Sequence, residues 1–574
     1  MISSLMRKAG QVAEDPVLRR WLARRLIGRE RGPPAQAPGR PPYLAEVAPP
    51  ATAAPSWTGS SHADRFAPPA APIRIALAGE SVELTPDDPG ALFTRAYADL
   101  ETFLSAHRFA WVPLAGKAVD ADWVAALWRV WAGRHAGRRD GWPWHAYTAA
   151  ERAINIIDFS DRHGLPGNPP DTLSLLAAHA DAIAGNLEYY GEHYTSNHLS
   201  NNGRGLLRIG CACGLADVAG LGARIMIAEA GRIFGRSGVL LEGSSHYHLL
   251  LTRNYVDAWR AAAAAGMPEA ATLRDIAKRA LGVIPALRLP AGLPLIGDIS
   301  PDCPPAFLVG LGDPAAAAQG GWPDVLPDEA RTRIAALLTD APAVSPDRVS
   351  EDGWHRFGQQ GWSALTYVPP DGWPPMPGHG HQDIGGFELH WKDCAVLIDP
   401  GRGSYRDGPS ERRYVSAQVH NSLTVDGHDP APVNRPYYSD AFRRRILGDR
   451  PTVARTRAGL SLTHHGYGRL RGGGPASREW RFAPDHVEIV DLLQGRGRHT
   501  VQRRFCTAHP VETAGETADI AAGDHRFRLS AGAPIRRQDI ICWTAYGVGI
   551  PGSLLICEEE AAFPCERQVR IERL

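Results

Sequence analysis

Residues 379–427 read HGHQDIGGFELHWKDCAVLIDPGRGSYRDGPSERRYVSAQVHNSLTVDG. FELHW, AVLID and NSLTV are short β-rich runs with turn residues between them, the pattern of antiparallel strands. His379 and His381 are two residues apart, so on an extended strand they point to one face. Asp399 closes the apolar run CAVLID just before a glycine-rich turn, and His420 stands before Asn421 and the run SLTV. Imidazole nitrogen and carboxylate oxygen are both ordinary zinc ligands. His381, Asp399 and His420 therefore make a candidate Zn²⁺ set on neighbouring strands, one ion per chain. The plainer alternative is that these histidines only pack or face solvent.

The same texture continues to the C-terminus. WSALTYV, RTRAGLSLTHHG, ASREWRFAPDHVEIVDLLQG, HTVQRRFCTA and SLLICEEE are further β-rich runs, which predicts an antiparallel β-sandwich over residues 341–574. Upstream the period changes. ALFTRAYADLETFLSAH, DADWVAALWRVWAGRH, YTAAERAINIIDFSDRHG and later segments to about residue 340 carry apolar residues at helical spacing, separated by short Gly, Pro and Asp breaks. Residues 71–340 are thus expected to be an all-α domain of helical hairpins. Residues 1–70 read as an arm and a Pro/Ala-rich extended linker. Within the arm, Val17, Leu18, Trp21, Leu22 and Leu26 share one face of a helix flanked by Arg19, Arg20, Arg24 and Arg25. That helix either packs on the rest of the protein or is a weak peripheral-membrane element.

HGHQD, FEL, IDPG, Tyr405, RRY and VHNS, in that order, resemble the C-terminal signature of the heparinase II/III-like polysaccharide lyases. A second block far upstream, YTSNHLSNNGRGL followed by LLEGSSHYH, agrees with it, and the resemblance covers roughly residues 90–574. It implies an α+β multidomain fold: an N-terminal incomplete (α/α) toroid, then a C-terminal antiparallel β-sandwich, with the active site in the cleft between them. The implied activity is cleavage of a uronic-acid-containing glycan by β-elimination. Asn197 and His198 match the family's pair that neutralises the substrate carboxylate. Tyr247 matches its catalytic tyrosine and His379 its other catalytic histidine. His381, Asp399 and His420 match the ligands of a zinc that is mainly structural in the family. Tyr405 and Arg413 fall where substrate contacts are often found, His246 and His248 flank the tyrosine as further candidates, and Glu388 matches an acid of open role. The chain departs from the pattern where GSSHYH lacks the usual proline and VHNS has Ser in place of Thr.

Such chemistry makes definite demands. The C5 proton beside a charged carboxylate is poorly acidic, because its removal builds a second negative charge. A site must therefore neutralise or strongly hydrogen-bond that carboxylate. It also needs a base at C5 and an acid at the leaving oxygen, each within hydrogen-bond reach.

Composition bounds the alternatives. Sixty-two Lys and Arg balance sixty-two Asp and Glu, so no global field favours a polyanion, and any grip on an acidic glycan is local. No basic motif with interleaved aromatics supports nucleic-acid binding. The eight cysteines form no CxxC pair and read as reduced core residues rather than a disulfide scaffold or zinc ribbon. The N-terminus lacks the apolar core of a signal peptide, and no run approaches a membrane span. A cytoplasmic location is the expectation, with periplasmic export by another route left open. Two other functions stay in play: a metal-dependent glycan hydrolase using zinc-bound water, and a non-catalytic glycan-binding protein of surface-polysaccharide metabolism. Retention of Asn197, His198, Tyr247 and His379 together weighs against the latter, since a binder needs no acid and base.

Overall fold

The computed structural model describes residues 12–13, 15–30, 38–51, 53–59, 66–312 and 321–574. Helix α1 (Pro16–Leu26) begins where Asp15 accepts hydrogen bonds from the Val17 and Leu18 N–H groups, with Pro16 in the first turn. Its buried face, Val17, Leu18 and Trp21, packs on Trp373, Tyr438, Phe442 and Ile446 of the β region. The apolar stripe is thus a packing face. The described part of the linker is docked rather than free: Leu44 lies in the helical core, and the Ser56 and Thr58 N–H groups donate to the Cys213 and Ala212 carbonyls. Among the described residues, no helix is long and apolar enough to cross a membrane.

A small antiparallel hairpin, β1 (Ile73–Leu77) and β2 (Glu80–Leu84), opens the helical region. The longer helices that follow are α2 (Leu100–Arg108), α3 (Ala121–His135), α4 (Ala146–His163), α5 (Pro169–Gly185), α6 (His198–Ala212), α7 (Ala216–Ile233), α8 (Ser245–Ala264), α9 (Ala270–Leu287) and α10 (Asp328–Asp340). Neighbours in sequence pack in pairs, α4 with α5, α6 with α7 and α8 with α9. The α6–α7 approach is close enough to require glycine: a Cβ on Gly222 would stand 2.3 Å from the Leu207 nitrogen. Buried charges tie α4, α6 and α8 together. Arg204 bonds Glu151 and Asp257, while Arg208 bonds Asp158 and Asp257, at 2.5–2.9 Å. Breaking such a network from one side is costly, because the remaining charge is left buried and unpaired.

Strands resume at Trp354. A four-stranded antiparallel sheet runs β3 (Trp354–Phe357), β4 (Trp362–Tyr367), β5 (Phe387–Trp391), β6 (Cys394–Leu397). A ten-stranded antiparallel sheet lies beyond it, centred on two long strands, β11 (His486–Thr507) and β16 (Val548–Arg573). The sheets pack through Phe357, Trp362, Leu389 and Trp391 on one side and Leu462, Trp480, Phe505 and Phe527 on the other. This is the expected β-sandwich. Every residue of β5 is buried, because the small sheet is a middle layer. Phe387, Leu389 and Trp391 face the large sheet. Glu388 and His390, on the opposite face, accept hydrogen bonds from the Leu295 and Ala291 N–H groups of the helical domain. Leu365 of β4 likewise turns to Val239, Val283 and Ile296 of that domain.

Candidate active site

Where helical domain and small sheet meet, three backbone segments touch. The His379 N–H donates to the Glu242 carbonyl and the Asp298 N–H donates to the His379 carbonyl. Gly297, at φ +84°, lets the segments close: a Cβ there would stand 2.5 Å from the Gly243 carbonyl oxygen and 2.9 Å from that of His379. Tyr247 sits in the first turn of α8, whose N-cap Ser244 accepts a hydrogen bond from the Tyr247 N–H. The result is that the Tyr247 and His379 rings stack, with centroids 3.5 Å apart and planes 12° from parallel. More than a hundred residues separate them in sequence, yet they meet where the two domains join.

Hydrogen bonds orient both rings. His379 Nδ1 lies 3.1 Å from Asp298 Oδ2, and Arg402 Nη1 reaches both oxygens of the same carboxylate at 3.2–3.3 Å. Burial works to raise the Asp298 pKa, but Arg402 and the bonds from His379 and His381 outweigh it and hold the carboxyl well below its usual range. The Tyr247 hydroxyl is 2.7 Å from that of Tyr405, which can also donate to the Ile299 carbonyl at 3.2 Å. Burial pushes both phenols well above their ordinary value, so both rest protonated.

Asn197 and His198 form the start of α6. Glu242 clamps Asn197, accepting from its backbone N–H at 3.0 Å and from Nδ2 at 2.6 Å, and lies 3.7 Å from His379 Nε2. The half-exposed His198 ring packs on Tyr147, with centroids 4.5 Å apart, and bonds Glu188 at 2.7 Å. Burial favours neutral His198, but the Glu188 carboxylate more than offsets this and raises its pKa. Glu188 is in turn held at about 2, as His198, His145 and Asn202 overcome its own burial. An imidazole whose protonated form Glu188 favours and an amide therefore stand side by side at the start of α6.

The candidate metal ligands lie beside this site. His381, Asp399 and His420 are buried, with potential ligand atoms all within 4.8 Å of one another. None is on a strand. His379 and His381 precede β5, Asp399 follows β6 and His420 precedes β7 (Leu423–Val425), so the expected strand placement is corrected to loops at strand ends. The two histidines nevertheless point the same way, since His381 Nε2 also meets Asp298, at 3.0 Å. The donor set fits a cation such as zinc. His381 Nδ1 is buried without a partner while Nε2 is held by a carboxylate. His420 Nε2 bonds the Tyr414 carbonyl, leaving Nδ1 toward Asp399 at 3.0 Å. Such outer bonds fix the tautomer of a ligating histidine. Asn421 braces the loops: Nδ2 donates to the Phe387 and Ile398 carbonyls, and Oδ1 accepts from the Cys506 N–H. Glu388 accepts from the Asp399 N–H as well as from Leu295, so that acid ties the ligand loop to the helical domain.

Three expected contacts fall elsewhere. His248 is fully buried, accepting from the Leu240 N–H and bonding the Ala280 carbonyl; one helical step of about 100° turns it away from Tyr247. His246 is also buried and accepts from the Ser300 N–H, so it is no surface contact. Arg413 lines a groove of about 820 Å³ with Tyr414, His509, Arg537 and Asp539, none of which belongs to the Tyr247–His379 cluster. The arginine of the cluster is Arg402. Sequence reasoning also missed Glu242, Asp298 and Glu188. Glu242 stood within the LLEGSSHYH block, whereas Asp298 and Glu188 carry no spacing signal.

Residues 344–559 match the family model described as heparinase II/III-like, C-terminal. The β domain belongs to the heparinase II/III-like family. Beyond that domain the likeness is one of fold. The crystal structure of a heparinase III is 14% identical, with a TM-score of 0.60 over 84% of this chain and 79% of that one. A second heparinase III gene product is 16% identical with a TM-score of 0.55, covering 84% and 80%. Heparan sulfate lyase HepC from Pedobacter heparinus is 14% identical with a TM-score of 0.50, covering 84% and 78%. No curated protein sequence matches the chain. The heparinase II/III-like β domain thus follows a helical domain of the expected incomplete (α/α) toroid architecture.

Proposed function

We propose that the protein is a polysaccharide lyase that cuts a uronic-acid-containing glycan by β-elimination. The observation that carries this reading is the contact of Tyr247 and His379 from two domains, beside Asn197 and His198. The second Asn197 amide hydrogen and the His198 imidazolium would meet the uronate carboxylate and offset the charge that builds at C5. Asp298 accepts from His379 Nδ1, which leaves the Nε2 lone pair to take the C5 proton. As the C4–O bond breaks, its electron pair goes to the leaving oxygen, which receives the Tyr247 proton, and a C4=C5 double bond remains. Tyr405 can turn its own proton from the Ile299 carbonyl to the Tyr247 phenolate at 2.7 Å. Return of the proton from His379 to Tyr247 resets the site.

A zinc ion held by His381, Asp399 and His420 would supply rigid cross-bracing of three loops, and His381 shares Asp298 with His379. HepC, one of the three structures named above, is described as a heparan sulfate lyase, which supports an acidic glycan as substrate here. The test is a panel of acidic polysaccharides followed by the ultraviolet absorbance of the conjugated unsaturated uronate. Growth of that absorbance with wild-type protein, absent with Tyr247→Phe, is the expected result. Cleavage yielding only saturated ends would identify a hydrolase and sink the lyase reading.

A further inference from the structure

Trp142 is the one exposed tryptophan among the described residues, which include all sixteen, and it is 49% exposed. Its display is built. In the turn Trp142–Trp144, the second indole is buried as an anchor, donating to the His135 carbonyl at 2.8 Å and packing 4.7 Å from His179. Pro143 stiffens the backbone between them, and the outward ring lies against His145. An isolated exposed apolar residue is ordinary. Trp142 is not isolated, because a continuous line of contacts leads from it to the candidate chemistry. Its ring lies 5.3 Å from that of His145, whose Nε2 is 3.5 Å from Glu188, and Glu188 bonds His198 at 2.7 Å. Asn197, next to His198, continues the line through Glu242 to His379 and Tyr247. Arg138 and Arg139 are exposed in the same loop.

We infer that Trp142 is a sugar-binding platform, a subsite outside the catalytic cluster that stacks the apolar face of a pyranose ring of the acidic glycan. The inference rests on the lyase reading for its substrate class. Several side chains separate Trp142 from Tyr247, so the ring it holds is not the one that loses its C5 proton. An indole offers a large apolar face and a polar edge, which suits a sugar with carbon–hydrogen faces and hydroxyl edges. A contact made equally in ground and transition states sets KM rather than kcat.

The test compares wild type, Trp142→Ala and Trp142→Phe on glycans of increasing length, with calorimetric binding measured in a Tyr247→Phe background. Trp142→Ala should raise KM on long glycans about tenfold and leave kcat within about twofold. Trp142→Phe should recover most of the loss, and the shortest cleaved substrate should show no difference. Melting temperature should not move, since the ring is exposed. Unchanged KM and affinity in Trp142→Ala on long glycans, or a loss that tracks a fall in melting temperature, overturns the platform. If wild type binds but never cleaves, the lyase reading falls and the platform is judged by the calorimetric affinities alone. If wild type neither cleaves nor binds any acidic glycan of the panel, both fall.

Discussion

Tyr247 is a phenol that burial makes hard to ionise, and in the proposed elimination it serves as proton donor with His379 as acceptor. Tyr247→Phe removes one hydroxyl and keeps the stacked ring, so folding and glycan affinity should hold while kcat falls about 10²–10⁴-fold. Full turnover in that variant would reassign the acid. His198 and Glu188 give a prediction in pH. Glu188 drops from 4.5 to about 2 on folding, so its contribution is present above about 4.5 and fades as pH falls toward 2. His198 is raised above 6.5, so its contribution is present below that value and is lost as pH climbs through its folded pKa. The stability difference between wild type and His198→Ala should therefore peak between about pH 4.5 and 6.5, measured as urea midpoints across pH. Glycan affinity should fade on the alkaline side as the cation is lost. At this scale the sequence shows the actors but not their supports. Tyr247, Asn197 and His379 stand in recognisable blocks, whereas Asp298 and Arg402 gain their meaning only when folding joins two loops from different domains.

Asn421 shows what a single amide does for several elements. It bridges β5, the segment after β6 and β11, with two of its three bonds buried and the third partly so. Asn421→Ala would leave two carbonyls and one N–H unpaired, and should cost about 1–3 kcal/mol in denaturant titrations. It should also loosen the ligand loops. The element pattern itself was largely legible: the β-rich run FELHW foretold a strand, and helical spacing foretold the α domain. The strand placement of His379 and His381 was not legible from a two-residue spacing. Gly378, Gly380, Gly385 and Gly386 around them were the contrary signal, since glycine weakens strands and marks close backbone approach. The hairpin β1–β2 escaped notice because two five-residue strands give a weak pattern against a helical background.

Across the whole molecule, a helical domain, a small sheet and a large sheet form three layers, and the candidate site lies at the first boundary. Asp99, which caps α2, accepts from Ser404 and Tyr546 of the β domain, and Tyr546 accepts from the Tyr405 N–H. The two domains are thus pinned at the residue beside Tyr247. Purified protein should carry one zinc per chain by elemental analysis, and the His381→Ala/His420→Ala double variant should not. Full metal content in that variant would place the ion elsewhere. Chelation of the wild type should lower its melting temperature, because a bound ion stabilises only the folded form.

The middle position of the small sheet bears on how this gene could be dissected. The family match ends at residue 559, inside β16, whose strand runs on to Arg573 and pairs there with β11 and with the strand His525–Ser530. A fragment cut at 344–559 would expose Glu388, His390 and Leu365 on one side and strip a strand's end on the other. Unpaired edges and bared inner faces are what drive aggregation. The boundary at which homology becomes recognisable is not a boundary at which the polypeptide can be severed, and expression of that segment alone should give inclusion bodies where the full chain gives soluble protein.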